Sequence, residues 1–430
     1  MRLILFDRLA DSRSQFYPLV LSRPIWELRC GITSLAEKLI AKTGAMETAC
    51  FVPPYMADAY REQSQWQVND PASLTGDDLL LLNPRLKADD FDIESVGSAL
   101  ISFNESGDCL FVRIPKEKLD HLNTESIDAL IESAREALPA ADKSPATWDY
   151  TWELVLANAD QITSDFAAAG RSGIHSDSIE DPFVVRGNKD DVYIGAGTCI
   201  HPMVVIDAEH GPVFIDEEVE IHPFSRVEGP CYIGKKSILL GAKCREGNSI
   251  GPVCRIGGEV EESIIQGYSN KYHDGFLGHA YVGEWVNLGA LTTNSDLKND
   301  YSNVSVTLDG RTPIDTGSTK VGALIGDHTK TSIGTLFNTG AYVGAMAVIA
   351  ATGKPLPKFI PSFAWFLEGV VTKGFGKKKL FETAATVVSR RGREWSAAQV
   401  SMWEEIFKIT ASPRLEAVKQ GRRAMRAKYS

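Results

Sequence analysis

The chain has 430 residues, of which 43% are hydrophobic and 23% are charged. This length exceeds one ordinary domain, and the composition excludes wholesale disorder and a collagen-like or fibrous rod. The net charge of −11 argues against nucleic-acid binding by the whole surface. No run reaches about 18 apolar residues and no signal-peptide core follows Met1, so we expect a cytoplasmic protein without a membrane partner.

The first 140 residues alternate apolar, strand-like runs with helical stretches. The runs cover residues 3–6, 79–82, 99–103 and 110–114, and a helical pattern covers 32–42. This alternation predicts an α/β, Rossmann-like domain over residues 1–140. A helical connector is predicted to follow over residues 141–180.

Residues 16–38, FYPLVLSRPIWELRCGITSLAEK, resemble the opening of a family of sugar nucleotidyltransferases in which a short α/β domain precedes hexapeptide repeats. Further similarity lies at 82–85 (LNPR), 148–166 and 356–365. The resemblance implies transfer of a nucleotide from an NTP, with Mg²⁺, to a sugar phosphate. The substrate-binding candidates that it implies in this domain are Arg13, Arg23, Arg29, Asn83 and Arg85.

One feature of well-studied nucleotidyltransferases is missing after the first predicted strand. Their glycine-rich loop cradles the nucleotide phosphates with backbone N–H groups, whereas residues 7–14 here read DRLADSRS. Arginine side chains could bind the phosphates instead, and Asp7 or Asp11 could help to hold Mg²⁺. The alternative is a degenerate domain that keeps the fold as a scaffold.

Aliphatic residues recur every six positions in the middle of the chain, often followed by glycine. The positions in phase are Ile194, Ile200, Ile206, Ile215, Ile221, Val227, Ile233, Leu239, Ile250, Ile256, Phe276, Val282, Leu288, Ile325, Thr331, Phe337, Val343 and Ile349. Three hexads make one triangular coil with an inward aliphatic residue on each side, and stacked coils bury a continuous apolar column. The period therefore predicts a β-helix of hexapeptide repeats over residues 181–352, with glycine at the turns.

Repeats of this kind resemble those of left-handed parallel β-helices, which are very often trimeric acyltransferases. Residues 271–294, KYHDGFLGHAYVGEWVNLGALTTN, resemble the acetyltransferase half of the bifunctional N-acetylglucosamine-1-phosphate uridyltransferase/glucosamine-1-phosphate N-acetyltransferase enzymes. The resemblance places the catalytic histidine at His273 and the asparagine of the Val-Asn hexad at Asn287, with Lys271 and Asn294 near the substrates. Phe276 stands where that family has tyrosine, and Asp296 replaces the asparagine of its later Asn-Tyr pair.

These residue types suit N-acetylation. A histidine can take the proton of the attacking amine near neutral pH, and an amide such as Asn287 can stabilise the oxyanion. His273 and His279 could instead belong to a metal-dependent lyase, with His201, His222 or His328 as third ligand.

The last 58 residues differ in charge from the rest of the chain. Residues 373–430 hold 14 Lys and Arg against 5 Asp and Glu, a charge of +9 that leaves −20 for the remainder. Helical spacing within 379–390 and 396–409 predicts a basic helical tail over 353–430, either a cap with its basic face in water or a surface for an anionic partner.

The sequence thus predicts a cytoplasmic bifunctional transferase that makes a nucleotide-activated amino sugar similar to UDP-N-acetylglucosamine. Its substrates would be a sugar phosphate, an NTP with Mg²⁺ and acetyl-CoA or another acyl-CoA, and it would form a homotrimer. The seven cysteines show no CxxC pair and are expected to be reduced. The alternative is a trimeric scaffold in which neither half is catalytic.

Overall fold

The computed structural model describes residues 1–9, 12–90 and 97–429. Its first part is a six-stranded sheet with the order β3-β2-β1-β4-β6-β5. The first four strands run parallel, and β6 is antiparallel to both β4 and β5. The strands are β1 (Arg2–Phe6), β2 (Glu47–Phe51), β3 (Gln67–Val68), β4 (Leu79–Leu82), β5 (Leu100–Phe103) and β6 (Cys109–Ile114).

The helices of this α/β domain pack on the central strands, whose side chains are apolar on both faces. The helices are α1 (Leu35–Thr43), α2 (Ala57–Arg61), α3 (Lys116–Leu119) and α4 (Ile127–Ala137). Helix α1 begins with a capping box between Ser34 and Glu37 and ends at Gly44, which has a φ of 62°. The predicted α/β domain is confirmed.

Two helices, α5 (Thr151–Leu156) and α6 (Asn158–Ala169), connect this domain to the repeats. Asn158 at the start of α6 is fully buried. Its amide nitrogen donates to the Gly247 carbonyl at 2.8 Å, and its amide oxygen accepts from the Gly31 N–H at 2.7 Å. This single side chain therefore ties the connector to both neighbouring domains.

The repeats form a triangular prism, which we define as residues 173–372. Its strands, in chain order, are β7 (Gly173–Ile174), β8 (Ser178–Ile179), β9 (Phe183–Gly187), β10 (Val192–Ile194), β11 (Cys199–Ile200), β12 (Val204–Ala208), β13 (Val213–Ile215), β14 (Glu220–Ile221), β15 (Arg226–Glu228), β16 (Cys231–Ile233), β17 (Ile238–Cys244), β18 (Asn248–Ile250), β19 (Arg255–Glu261), β20 (Ile264–Gly267), β21 (Asn270–Lys271), β22 (Phe276–Gly278), β23 (Tyr281–Glu284), β24 (Thr293–Asn294), β25 (Ser305–Thr307), β26 (Pro313–Asp315), β27 (Leu324–Ile325), β28 (Lys330–Thr331), β29 (Leu336–Phe337), β30 (Tyr342–Val343), β31 (Val348–Ile349), β32 (Phe359–Ile360), β33 (Trp365–Leu367) and β34 (Val370–Thr372).

One face of the prism is a ten-stranded sheet that runs from β7 to β32, and its strand pairs are parallel. The other two faces join where the long strands β17 and β19 bend around a corner. Seventeen of the eighteen residues predicted to point inward are buried, and the exception is Phe276. The predicted left-handed parallel β-helix is confirmed.

The glycine that follows an inward residue is needed because successive coils touch there. A Cβ added to Gly251 would lie 2.0 Å from the carbonyl oxygen of Gln266, and one added to Gly344 would lie 2.2 Å from the backbone nitrogen of Ser362. Neither glycine has a positive φ. Glycine follows the inward aliphatic residue because it leaves space for the next coil, and not because the backbone there needs the conformational freedom of glycine.

The parallel sheets extend beyond the predicted range of 181–352. The parallel pairing begins at Gly173 and reaches Phe366 of β33, and β34, which ends at Thr372, adds an antiparallel strand. The terminal coils lack the aliphatic-glycine pairs that mark the middle coils. In β32 and β33, Ile360 and Phe366 fill the column, and neither is followed by glycine. The inward residue predicted at Phe276 is Leu277 instead, which pairs with Val260 of the preceding coil.

The tail forms three helices, α7 (Lys377–Ser389), α8 (Ala397–Ile409) and α9 (Ala411–Tyr429). Leu380 and Trp403 of the tail share one apolar cluster with Leu80 of the α/β domain and Phe363 of the prism. The three parts of the chain are therefore packed around a common core. Within the described residues, none of the helices is long and apolar enough to cross a membrane.

Candidate functional site

A cavity of about 400 Å³ opens on one face of the prism, and we call it the prism cavity. His273 and Asn287, the two residues predicted to be catalytic, both line it. The loop after β21 carries His273, and the next coil carries Asn287. The polar side chains that face the cavity are Arg255, Asn270, His273, Asn287 and Arg391.

The amide groups of the prism cavity form a short chain of hydrogen bonds. Arg391 Nη2 donates to Asn270 Oδ1 at 3.1 Å, and Asn270 Nδ2 donates to Asn287 Oδ1 at 3.2 Å. The backbones of Asn270 and Asn287 also pair as a parallel bridge, which stacks the two side chains on neighbouring coils. Because the Asn287 oxygen accepts from Asn270, its amide NH₂ is left to donate toward a ligand.

His273 is exposed to solvent, and its ring meets Tyr272 edge to face with centroids 5.9 Å apart. Its backbone carbonyl accepts a hydrogen bond from Lys271 Nζ. The loop is thus held from inside the prism while the imidazole stays free to meet a substrate.

Lys271 and Asn294 were expected near the substrates, but the structure places both inside the prism. Lys271 pairs with Ile256 at an inward position, and its Nζ donates to the Gly257 carbonyl at 2.9 Å. Burial lowers the pKa of this amine to about 8. Asn294 is 1% exposed and exchanges two 2.8 Å hydrogen bonds with the backbone of Gly278.

His279 is also separated from the prism cavity. Its Nδ1 lies 2.9 Å from Asp296 Oδ2 and its Nε2 lies 2.8 Å from Glu262 Oε2. Burial alone would lower the pKa of His279, but the bonds to Asp296 and Glu262 outweigh it and raise that pKa to about 9. Neither His273 nor His279 belongs to any of the His, Cys, Asp and Glu groups that could hold a metal in the described part of the chain. The structure therefore does not assemble the lyase site.

Most candidates of the α/β domain are engaged with their own domain. Asp7 and Arg13 form a buried ion pair, and Asp7 Oδ2 also accepts from the Ile25 N–H at 2.9 Å. Asp11 lies outside the described residues. With Asp7 occupied in this way, the described residues of the domain do not fit the expected Mg²⁺ site.

Three further candidates of this domain are also engaged by other residues of the protein, two within the domain and one with the prism. Asn83 is buried and accepts from the Arg85 N–H at 3.0 Å. Arg85 is buried against Asp108 at 2.6 Å. Arg29 stacks over the ring of Tyr232, a residue of the prism.

Arg23 is the candidate that reaches a second cavity, which we call the junction cavity. This cavity has a volume of about 560 Å³ and lies where the α/β domain, the prism and the tail meet. Arg23 Nη2 lies 2.6 Å from Asp327 Oδ2 and 3.2 Å from Glu284 Oε2, both on the prism. Nearby, burial raises the pKa of Glu27 to about 7.

Three residues that line the junction cavity each carry a buried polar atom without a protein partner. These atoms are Arg23 Nη1, His328 Nδ1 and Gln399 Oε1. Aromatic rings form the walls, since Trp285 stacks on His328 and Trp395 meets the same imidazole edge to face. The cavity thus combines stacking surfaces with unused hydrogen-bonding capacity, as ligand sites do.

Sequence reasoning missed Arg255, Arg391 and Asn270 at the prism cavity, and Arg393 and Trp395 at the junction cavity. The surplus of arginine in the tail was the available signal, because Arg391 and Arg393 belong to the run RRGR at 390–393. The fold was needed to show which of these side chains turn toward the cavities.

Residues 3–172 match the family model described as sugar nucleotidyl transferase. A bifunctional sugar-1-phosphate nucleotidylyltransferase/acetyltransferase of Sulfurisphaera tokodaii is 37% identical over 151 residues, which cover 32% of this chain and 35% of that protein. The bifunctional protein GlmU of Thermotoga petrophila is 27% identical over 183 residues, or 38% of each chain. The chain thus spans little more than a third of the length of these relatives.

Among solved structures, the UDP-N-acetylglucosamine acyltransferase of Francisella novicida aligns with 55% of this chain and 75% of its own, at 17% identity and a TM-score of 0.29. An alignment with so low a TM-score is not used to assign the fold, and the assignment rests on the strand pairing described above. The family match and the observed prism together lead to one conclusion: the chain joins an N-terminal segment that matches the sugar nucleotidyl transferase model to a hexapeptide-repeat β-helix.

Proposed function

We propose that the prism cavity transfers an acyl group from acyl-CoA to the amine of an amino-sugar phosphate. The observation that carries this proposal is the meeting of His273, Asn287 and two arginines, Arg255 and Arg391, around one cavity. The names of the relatives, which include an acetyltransferase activity, support it.

The residues divide the work of the reaction. His273 takes the proton as the amine nitrogen attacks the thioester carbon, and the NH₂ of Asn287 donates to the oxyanion that forms. The carbon–sulfur bond then breaks, and the departing CoA thiolate takes up a proton. Arg255 and Arg391 supply positive charge for the phosphate groups of the sugar and of CoA.

The test compares two histidines that are both exposed, His273 in the cavity and His210 elsewhere on the prism. We expect His273→Ala to lower kcat/KM for CoA release by about 100-fold or more, because a general base contributes about that much. His210→Ala should match the wild type. Equal rates for the wild type and His273→Ala would refute the assignment, provided that their circular dichroism spectra agree.

We infer a second activity, nucleotidyl transfer to the sugar phosphate, at the junction cavity. The match of residues 3–172 to the sugar nucleotidyl transferase family favours it, as does the position of Arg23 at a cavity with aromatic walls. An indole such as Trp395 could stack on a nucleobase, and Arg23 and Arg393 carry charge suited to phosphates. No step is assigned to Mg²⁺, since Asp7 is already paired with Arg13 and Asp11 lies outside the described residues.

Release of pyrophosphate from UTP and other NTPs with several sugar 1-phosphates tests this activity. We expect Arg23→Ala to abolish release. Because Arg23 belongs to a buried ion pair, the exposed Arg393→Ala serves as a second variant and should lower the rate with the fold intact. Absence of release with every nucleotide would leave the domain a scaffold.

The trimer stays part of the proposal. The prism cavity is open on one side, and a neighbouring prism could close it under threefold symmetry. Light scattering of the purified chain measures the assembly directly, and a monomer that transfers acyl groups at full rate would contradict a shared site.

A further inference from the structure

Two neighbouring coils near the start of the prism present a square array of donor side chains outside both cavities. Strands β11 and β14 pair in parallel, with Cys199 opposite Glu220 and Ile200 opposite Ile221. The His201 N–H donates to the Ile221 carbonyl at 3.0 Å, which continues the register to the next residue.

The alternation of a strand places these donors on the outer surface. Ile200 and Ile221 are fully buried in the column, so the residues before and after each of them point outward. Their outward neighbours are Cys199 and His201 on one coil and Glu220 and His222 on the next.

The donor atoms of His201, Glu220 and His222 already stand at the separation that one ion would impose. Glu220 Oε1 lies 3.4 Å from His201 Nε2 and 3.2 Å from His222 Nε2, and one ligand atom from each of the three residues lies within 4.8 Å of the other two. Cys199 Sγ lies 3.8 Å from His201 Nε2 but does not belong to this group of three. A tetrahedral Zn²⁺ with bonds of about 2.0–2.3 Å holds neighbouring ligands roughly 3.3–3.7 Å apart.

A second carboxylate fixes the orientation of His201. Glu180 Oε1 lies 3.2 Å from His201 Nδ1, on the side of the ring away from Glu220. Metal-binding histidines usually donate their other ring N–H to such a carboxylate. With Nδ1 donating to Glu180, the lone pair of a neutral His201 Nε2 faces a carboxylate oxygen and a sulfur, and a cation between them would relieve that arrangement.

We propose that this array binds one divalent transition-metal ion of the Zn²⁺ class through His201, His222 and Glu220. Two imidazoles and one carboxylate oxygen favour Zn²⁺ or Co²⁺ over Mg²⁺ or Ca²⁺, which prefer oxygen ligands alone. The side chains of His201 and His222 are 27% and 30% exposed, so an ion can reach them from solvent. The ion would fasten two coils together at a distance from the proposed acyl-transfer chemistry.

The experiment uses the full chain with any affinity tag removed and its metals stripped by a chelator. Titration with Zn²⁺ against a chromophoric chelator should show one bound ion per chain. Co²⁺ should give the visible spectrum of a tetrahedral site without a thiolate charge-transfer band, and Cys199→Ser should leave that spectrum unchanged.

Variants separate this site from chance binding by surface histidines. We expect His201→Ala and His222→Ala each to weaken binding at least about tenfold. His210→Ala, a matched change at an exposed histidine of the same prism, should leave binding unchanged. Because the three ligands lie on the surface, circular dichroism should confirm that each variant folds.

Three results would overturn the proposal. They are the absence of stoichiometric binding, an octahedral Co²⁺ spectrum, and binding that His201→Ala and His222→Ala leave intact.

Discussion

Asn287 contributes a hydrogen-bond donor whose direction is set by its neighbour. Asn270 Nδ2 donates to Asn287 Oδ1, so the NH₂ of Asn287 is the group that remains for an oxyanion. Asn287→Asp keeps the shape but places a negative charge there. We expect kcat for acyl transfer to fall about 100-fold with KM little changed, as steady-state kinetics would show. A normal kcat would remove Asn287 from the mechanism.

The six-residue register places Lys271 and Asn294 at inward positions, whereas the family resemblance places them near the substrates. Lys271 follows the buried Ile265 by six positions and Asn294 follows Leu288 by six, so both stand in the inward phase. A polar residue in phase is hard to recognise from sequence, because only the fold shows the backbone carbonyls that satisfy it. His273 and Asn287, which fall out of phase, could be placed on the outer surface from the sequence alone.

The buried amine of Lys271 predicts a pH-dependent stability. Its pKa is about 8 in the folded chain and about 10.5 when unfolded, so the unfolded chain holds more protons between these values and stability rises with pH over that window. Lys271→Met should remove this rise and keep kcat/KM within about threefold. Urea unfolding at pH 8 to 10.5 measures the first effect, and a large rise in KM would restore Lys271 as a substrate ligand.

At the scale of elements, His279 joins two segments of the prism. It bridges Glu262, after β19, and Asp296, after β24. Its pKa of about 9 exceeds the ordinary value of about 6.5, so the stability it contributes is complete below pH 6.5 and is lost as the pH rises through 9.

The variant His279→Gln isolates this contribution. We expect it to lower the free energy of unfolding by about 2 kcal/mol at pH 6 and to have less effect at pH 10. Urea midpoints measured across this range check the expectation, with the exposed His273→Gln as the matched control. Parallel curves for the wild type and His279→Gln would contradict the assigned charge.

The sequence predicted the middle strands of the prism but not the strands at its two ends. A strict period predicted the middle coils, whose inward residues are aliphatic, but it missed β7 at one end and β32 to β34 at the other. At the C-terminal end, helix α9 packs against β34, and Phe366 fills the column there without a glycine after it.

At the scale of the whole molecule, the basic tail is part of the core and of both cavities. Arg391 reaches the prism cavity, Arg393 the junction cavity, and Arg414 is buried under Phe407. The sequence predicted a helical cap whose basic face lies in water. The helices do pack on the body of the protein, but these three arginines point into the cavities or the core instead of into water. Their placement depends on how three parts of the chain meet, which a local pattern does not encode.

Trp403 on α8 tests this arrangement. It is 2% exposed and lies edge to face with His328 and Phe363 of the prism. We expect Trp403→Ala to lower the free energy of unfolding by about 3 kcal/mol or more, whereas the exposed Leu415→Ala should change it by less than about 0.5 kcal/mol. Thermal or urea unfolding measures both, and equal effects would show that α8 packs only loosely.

The central claim is that the prism cavity acylates an amino-sugar phosphate. Its most direct measurement is mass spectrometry of the products formed from isotope-labelled acetyl-CoA and glucosamine 1-phosphate by the wild-type chain and by His273→Ala. The account predicts the labelled N-acetyl sugar phosphate with the wild type and almost none with the variant. An unmodified sugar with the wild type, or equal labelling by both proteins, would contradict it.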